Sequence, residues 1–319
     1  MAYRIGIDIG STTVKTAILS ESGELLFKKY ERHFSRVREK AAEQLAEAAD
    51  IIGTGEIYAA ITGSAGLGVS KATGIPFVQE VFATAAAVDA NVPDADAVIE
   101  LGGEDAKIIF FGGSLEERMN GSCAGGTGAF IDQMATLLNV TVEELDRLSA
   151  GCEKIYPIAS RCGVFAKSDI QPILNQGGRK EDLAASIYQA VVDQTVSGLT
   201  QGRELKGKIV FLGGPLTFQK GLRLRFTETL KLDGEHAVFP ENAENYAAIG
   251  AALCSDSYAE TDYDTLIKQL RESAKAVVTT ASLPPLFENE EEYAEFRARH
   301  AKATPVMRDV ASYEGGAYL

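Results

Sequence analysis

The sequence predicts an α/β protein built of two related lobes that face one cleft. Three observations predict it. Apolar strand-like runs alternate with longer stretches of helical spacing as far as about Ser257. Two strand–turn–strand units, one opening at Tyr3 and one at Ala97, share a layout of apolar strand, acidic residue, glycine turn and second strand, as a short internal duplication would. A third strand, Lys208 to Leu212, runs into Gly213-Gly214-Pro215.

Tyr3 to Ile9 alternates Ile5, Ile7 and Ile9 with small or polar residues, Gly10-Ser11-Thr12-Thr13 turns the chain, and Val14 to Leu19 resumes a β-rich run. Glu24 to Tyr30 reads as a third strand, Arg36 to Ile52 as a helix, Glu56 to Thr62 as a strand and Ala83 to Asn91 as a helix. In the second unit Ala97 to Leu101 leads through Gly102-Gly103-Glu104-Asp105 into Ala106 to Phe111. Helical spacing then predicts Gly126–Leu138, Val142–Ser149, Val164–Asn175, Lys180–Gly202 and Phe218–Leu230, with a small-residue helix from Ala243 to Ser257. The pattern decays after Tyr258, and Leu283-Pro284-Pro285 breaks it. This divides the chain into a first lobe over 1–95, joined by part of the 243–258 helix, a second lobe over 96–258, and a tail or linker over 259–319.

A chain of 319 residues has room for two ordinary domains. Its formal charge of −14 argues against a broad nucleic-acid footprint. No stretch is long and apolar enough to span a membrane, and the start lacks the basic-then-apolar layout of a signal peptide, so a cytoplasmic protein is expected. In that compartment Cys123, Cys152, Cys162 and Cys254 are candidates for metal ligation, redox work or simple burial rather than for disulfides.

The chemistry gathers at the turns. In Asp8-Ile9-Gly10-Ser11-Thr12-Thr13, with Lys15 beyond, glycine lets backbone approach a phosphate, and successive amides and hydroxyls can donate to it. Asp8 can hold Mg2+ through water. The motif is neither a G-x-x-x-x-G-K-[ST] loop nor a G-x-G-x-x-G fingerprint, and an ordinary hairpin turn fits the same residues. Glu100, Gly102, Gly103, Glu104 and Asp105 offer carboxylates beside a glycine turn, suited to Mg2+ and to positioning a water. A solvated acidic turn is the alternative. Gly213, Gly214 and Pro215, with Lys220, Arg223 and Arg225 nearby, would let a flat base and ribose lie against backbone.

Taken in order, the three turns resemble those of the sugar kinase, actin and heat-shock chaperone superfamily over roughly residues 3–257. The resemblance implies two ribonuclease-H-like lobes around an ATP/ADP cleft, with phosphate loops at Asp8–Thr13 and Glu100–Asp105 and an adenosine loop at Gly213–Pro215. Within it, Asn120-Gly-Ser-Cys123-Ala-Gly-Gly-Thr-Gly128 and Ser160-Arg-Cys162-Gly-Val-Phe-Ala-Lys-Ser-Asp169 look like the two cysteine segments of the activators of 2-hydroxyacyl-CoA dehydratases and of the related benzoyl-CoA reductase ATPases. That likeness implies a homodimer sharing one 4Fe–4S cluster through Cys123 and Cys162 of each subunit. It also implies ATP-driven electron transfer to a partner enzyme and a donor such as ferredoxin or flavodoxin.

The residues suit that chemistry. Four thiolates hold such a cluster, and each cysteine stands just ahead of a predicted helix, whose free amides favour thiolate and cluster charge. Buried structural cysteines, or zinc on four thiolates, fit the spacing as well. Cys152 and Cys254 lack such surroundings and are read as non-ligands. Two departures from the activators stand out. Their second loop commonly reads Asp-Ile-Gly-Gly-Gln-Asp, so Glu100 replaces the aspartate and Glu104 a neutral amide; Tyr246-Ala-Ala-Ile-Gly250 also differs from the usual Thr-Gly-Ala-Leu-Gly. A small-molecule kinase and a non-redox nucleotide-binding module remain alternatives, both colourless. Glu288 to Glu295 reads as an acidic helix with a solvated face. Ala317-Tyr318 echoes Ala2-Tyr3, which leads us to expect the N-terminal module of a longer activase-related protein.

Overall fold

The computed structural model describes residues 2–53, 56–120, 125–275 and 283–305. They form two units, one over Met1–Ala276 and one over Val277–Leu319.

The first unit holds two sheets. Strands β1 (Tyr3–Ile9), β2 (Thr13–Leu19), β3 (Leu25–Arg32) and β4 (Ile57–Thr62) lie in the order β3-β2-β1-β4. Strands β5 (Ala97–Leu101), β6 (Ala106–Phe110), β7 (Glu116–Met119), β8 (Ile209–Leu212) and β9 (Ala237–Val238) lie in the order β7-β6-β5-β8-β9. In both sheets an antiparallel meander leads to a parallel neighbour, β4 beside β1 and β8 beside β5. The two units noticed in the sequence are thus the same hairpin used twice. In the central strands nearly every side chain is buried, because helices cover both faces.

Against the first sheet pack α1 (Val37–Glu47), α2 (Ala49–Ile52) and α3 (Gly66–Thr73), so the expected long helix is broken at the buried Ala48. The second sheet carries α5 (Gly128–Leu138), α6 (Val142–Ser149), α7 (Gly163–Asn175), α8 (Lys180–Thr200), α9 (Gly214–Phe218) and α10 (Lys220–Leu230); α4 and α11 are placed below. Local signals set several of these ends. Thr141 accepts from the Glu144 amide at 3.1 Å to start α6, and Pro215 enters α9 in its first turn.

Between the sheets lie α4 (Glu80–Asn91) and α11 (Tyr246–Cys254). Their apolar faces share one core with Leu19 of β2 and with Val98, Ile109 and Leu212 of the second sheet. This shared layer ties the lobes together.

Helix α12 (Tyr263–Lys275) lies in the stretch read from sequence as tail. It packs into the core of the first sheet instead, burying Tyr263, Leu266 and Leu270, and the Tyr263 hydroxyl donates to the Leu45 carbonyl. Leu266→Ala is expected to cost about 2–5 kcal/mol, read as a lowered urea midpoint. A solvated tail would leave the midpoint where it was.

The second unit contains α13 (Glu290–Ala301), the acidic helix expected from the sequence. Asn289 accepts from the Glu292 amide at 3.0 Å, and the Glu292 carboxylate accepts from the Glu288 amide at 2.7 Å. Such a reciprocal cap explains why this charged run starts a helix where it does.

Candidate functional site

The two hairpins carry matching ionic pairs. Register sets Asp8 opposite Lys15 in the first and Glu100 opposite Lys107 in the second. The turns match as well, since Gly10 N–H donates to the Thr13 carbonyl at 3.0 Å and Gly102 N–H to the Asp105 carbonyl at 2.8 Å. They also touch: a Cβ on Gly103 would collide with the Thr12 side chain.

A cavity of about 330 Å3 opens where they meet. Thr12, Thr13 and Lys15 line it from the first turn, Glu100, Gly102 and Gly103 from the second, and Gly213, Gly214 and Pro215 from the end of β8. The three turns picked out of the sequence therefore share one cavity. Gly213 needs its glycine, having a φ of +92° and a missing Cβ whose place the Leu101 carbonyl occupies. Ser11, Glu104 and Asp105 face a neighbouring cavity of about 550 Å3. Of the cations flagged near the third turn, Arg223 donates to the Leu216 and Thr217 carbonyls and Arg225 pairs with Glu228. Both are committed to local structure.

Charge is concentrated at the root of these turns. Asp8 is fully buried; one oxygen accepts from Lys15 Nζ at 2.6 Å, while Oδ1 has no partner. Burial pulls the Lys15 ammonium down, but Asp8, with Glu100 and Glu80 adding to it, makes the net shift upward. An orphaned buried carboxylate oxygen is costly unless something completes it, and its hard-oxygen chemistry fits a hydrated Mg2+. Among the described residues no group of three or more His, Cys, Asp and Glu is spaced to hold a metal by itself.

Two residues that the sequence reading passed over complete the site. Lys107, 1% exposed, reaches Glu80 at 2.7 Å, Asp105 at 3.2 Å and Glu100 at 3.9 Å. Burial works against its charge, yet the three carboxylates hold its pKa well above the ordinary value. Glu80, the first residue of α4, is pushed up to about 7, by burial first. Burial raises Glu100 too. A usable signal existed for Lys107: it follows Glu100 by the same seven positions that separate Lys15 from Asp8. Glu80 carried none, because it arrives from another element.

The second turn is bonded directly to α5. Gly128 N–H donates to the Gly102 carbonyl at 3.0 Å and Ala129 N–H to the Gly103 carbonyl at 2.7 Å. This is the helix that follows the first cysteine segment. Cys123 itself lies outside the described residues, but a Cβ on Gly125 would sit 2.6 Å from the Arg161 carbonyl oxygen, so Gly125 of the first segment abuts Arg161 of the second. Cys162 is half-buried at the N-cap of α7. Val164 and Phe165 beyond it are exposed at 70% and 65%. Burial pushes the Cys152 and Cys254 thiols up, which disfavours the thiolate a ligand needs.

Residues 5–255 match the BadF/BadG/BcrA/BcrD ATPase family. The (R)-2-hydroxyglutaryl-CoA dehydratase activating ATPase of Acidaminococcus fermentans is 31% identical over 267 residues, which are 79% of this chain and 96% of that protein. The crystal structure of component A of the Acidaminococcus fermentans (R)-2-hydroxyglutaryl-CoA dehydratase has a TM-score of 0.71 at 27% identity, over 86% of this chain and 100% of that one. The activator of the 2-hydroxyisocaproyl-CoA dehydratase from Clostridium difficile, with ADPNP bound, has a TM-score of 0.68 at 26% identity over 88% and 100%. The fold is the two-lobed one of actin-like ATPases. Since the match runs from the first strand through α11 and takes in every turn around the cavity, the chain belongs to the BadF/BadG/BcrA/BcrD ATPase family.

Proposed function

We propose that the chain is an ATP-hydrolysing activator that delivers a low-potential electron to a partner enzyme of the 2-hydroxyacyl-CoA dehydratase or related reductase class. The observation that carries the reading is the pair of hydrogen bonds from α5 to the second glycine turn, which joins the cavity to the helix behind the first cysteine segment.

Ser11, Thr12, Thr13 and Lys15 would receive the phosphates, Gly213, Gly214 and Pro215 the adenosine. Asp8 and Glu100 would hold Mg2+, which when bound neutralises phosphate charge. Glu80, Glu104 and Asp105 line the neighbouring cavity together, and Glu80 would be the carboxylate to take a proton from an attacking water there. Lys107 keeps that carboxylate group together. Closing the lobes on a nucleotide would pull on the second turn and hence on α5.

Cys123 and Cys162 of two subunits would supply the four thiolates of a 4Fe–4S cluster. That group provides a one-electron carrier, refilled by a ferredoxin- or flavodoxin-type donor and emptied by the partner. Exposed Val164 and Phe165 beside Cys162 suit a surface that a second copy covers.

Anaerobic purification followed by iron, sulfide and EPR analysis tests the redox half. We expect about two irons per chain, lost in both Cys123→Ser and Cys162→Ser; colour that survives both substitutions defeats the ligand assignment. For the ATPase half, Asp8→Asn is expected to slow phosphate release about ten- to a hundredfold with iron content intact. A phosphorylated metabolite in place of free phosphate would point to a kinase using the second cavity.

A further inference from the structure

At the end of β3 the chain turns through His33, Phe34 and Ser35 before α1. Phe34 and Ser35 have φ of +45° and +65°, and neither is the glycine such values favour. Two adjacent residues in this conformation persist only where their surroundings over-determine them.

His33 supplies that constraint. Its imidazole is buried, and Nδ1 accepts from the Ser35 amide at 3.0 Å. A ring nitrogen that accepts carries no proton, so in the neutral ring Nε2 is the protonated one. Nε2 then donates to the Gly10 carbonyl at 3.3 Å. The His33 amide donates to the Thr12 carbonyl at 3.1 Å. Two carbonyls of the first glycine turn are thus tied back to one residue. Because a trans peptide sets N–H opposite C=O, this fixes the Ser11 and Thr13 amides pointing away from His33.

We propose that His33 is a positioning residue for nucleotide phosphate, holding the Gly10–Thr13 turn in the orientation that presents its amides. The proposal rests on the nucleotide reading of the cavity and adds a residue to it. The bond from the Ser35 amide to Nδ1 holds the Phe34–Ser35 corner and, in the same contact, keeps the imidazole turned towards the Gly10 carbonyl.

The test compares His33→Ala, His33→Gln and His33→Asn in the full chain, titrating a fluorescent ATP analogue and recording melting temperature in parallel. Glutamine keeps a donor near the Gly10 carbonyl; asparagine keeps only an acceptor near the Ser35 amide. Losing one hydrogen bond should weaken nucleotide binding by about three- to tenfold in the alanine and asparagine variants. Glutamine should restore most of it, and asparagine should melt close to the wild type. Wild-type affinity in all three variants overturns the proposal. So does weakened binding that follows melting temperature alone, with no rescue by glutamine, since that is a purely structural role. A wild-type chain that binds no nucleotide sinks the parent reading together with this one, whereas normal wild-type binding with unaffected variants sinks only this one.

Discussion

Lys107→Met should cost about 3–5 kcal/mol of stability and abolish ATP hydrolysis. Lys107 is buried and is the shared counter-ion of Glu80, Glu100 and Asp105. Methionine fills much of the volume but leaves those carboxylates facing one another with water largely excluded. They respond by taking up protons, so the damage should be smaller at low pH and worse as pH rises. Urea midpoints of the variant and the wild type, taken between pH 5 and pH 8, measure this. A variant with the wild-type midpoint across that range would mean that Lys107 is not the compensating charge.

The same cluster sets a smaller pH effect in the unaltered protein. Burial pushes the Glu80 carboxyl from the ordinary 4.5 up to about 7 in the folded protein. Its folded-state value is raised, so its contribution to stability is complete below pH 4.5 and is lost as pH rises through about 7. Glu80→Gln mimics the protonated form permanently. The stability difference between the two proteins should change across that window and level off above it. A constant difference from pH 4 to pH 8 would count against the burial of Glu80.

Gly250→Val is expected to be the most damaging single apolar substitution in the layer between the lobes. Glycine inside a helix costs about 1 kcal/mol relative to alanine, so α11 tolerates one for a reason. A Cβ there would overlap the carbonyl of Ala83 in α4, which means that the two helices cross backbone to backbone. Adding a branched side chain forces them apart, at about 3 kcal/mol or more. The same displacement would tilt the first sheet against the second and misalign the two glycine turns, so nucleotide affinity should fall with stability. Calorimetry and nucleotide titration on the variant check both. Gly250→Ala melting as the wild type does would show that the crossing has slack.

By itself the sequence determined the repeated hairpins, the three glycine turns and the two cysteine segments. The hairpins and turns rest on short-range chemistry, the alternation of Ile5, Ile7 and Ile9 and glycine where backbone must be approached, and the segments around Cys123 and Cys162 on their resemblance to those of the activators. Only the tertiary structure decided that Glu80 enters the site from α4, that Lys107 serves three carboxylates, that His33 clamps the first turn and that α12 completes the first core. These are contacts between segments distant in the chain. A lysine buried among acids and a lysine on a solvated strand look identical until folding removes the water and makes their charges count.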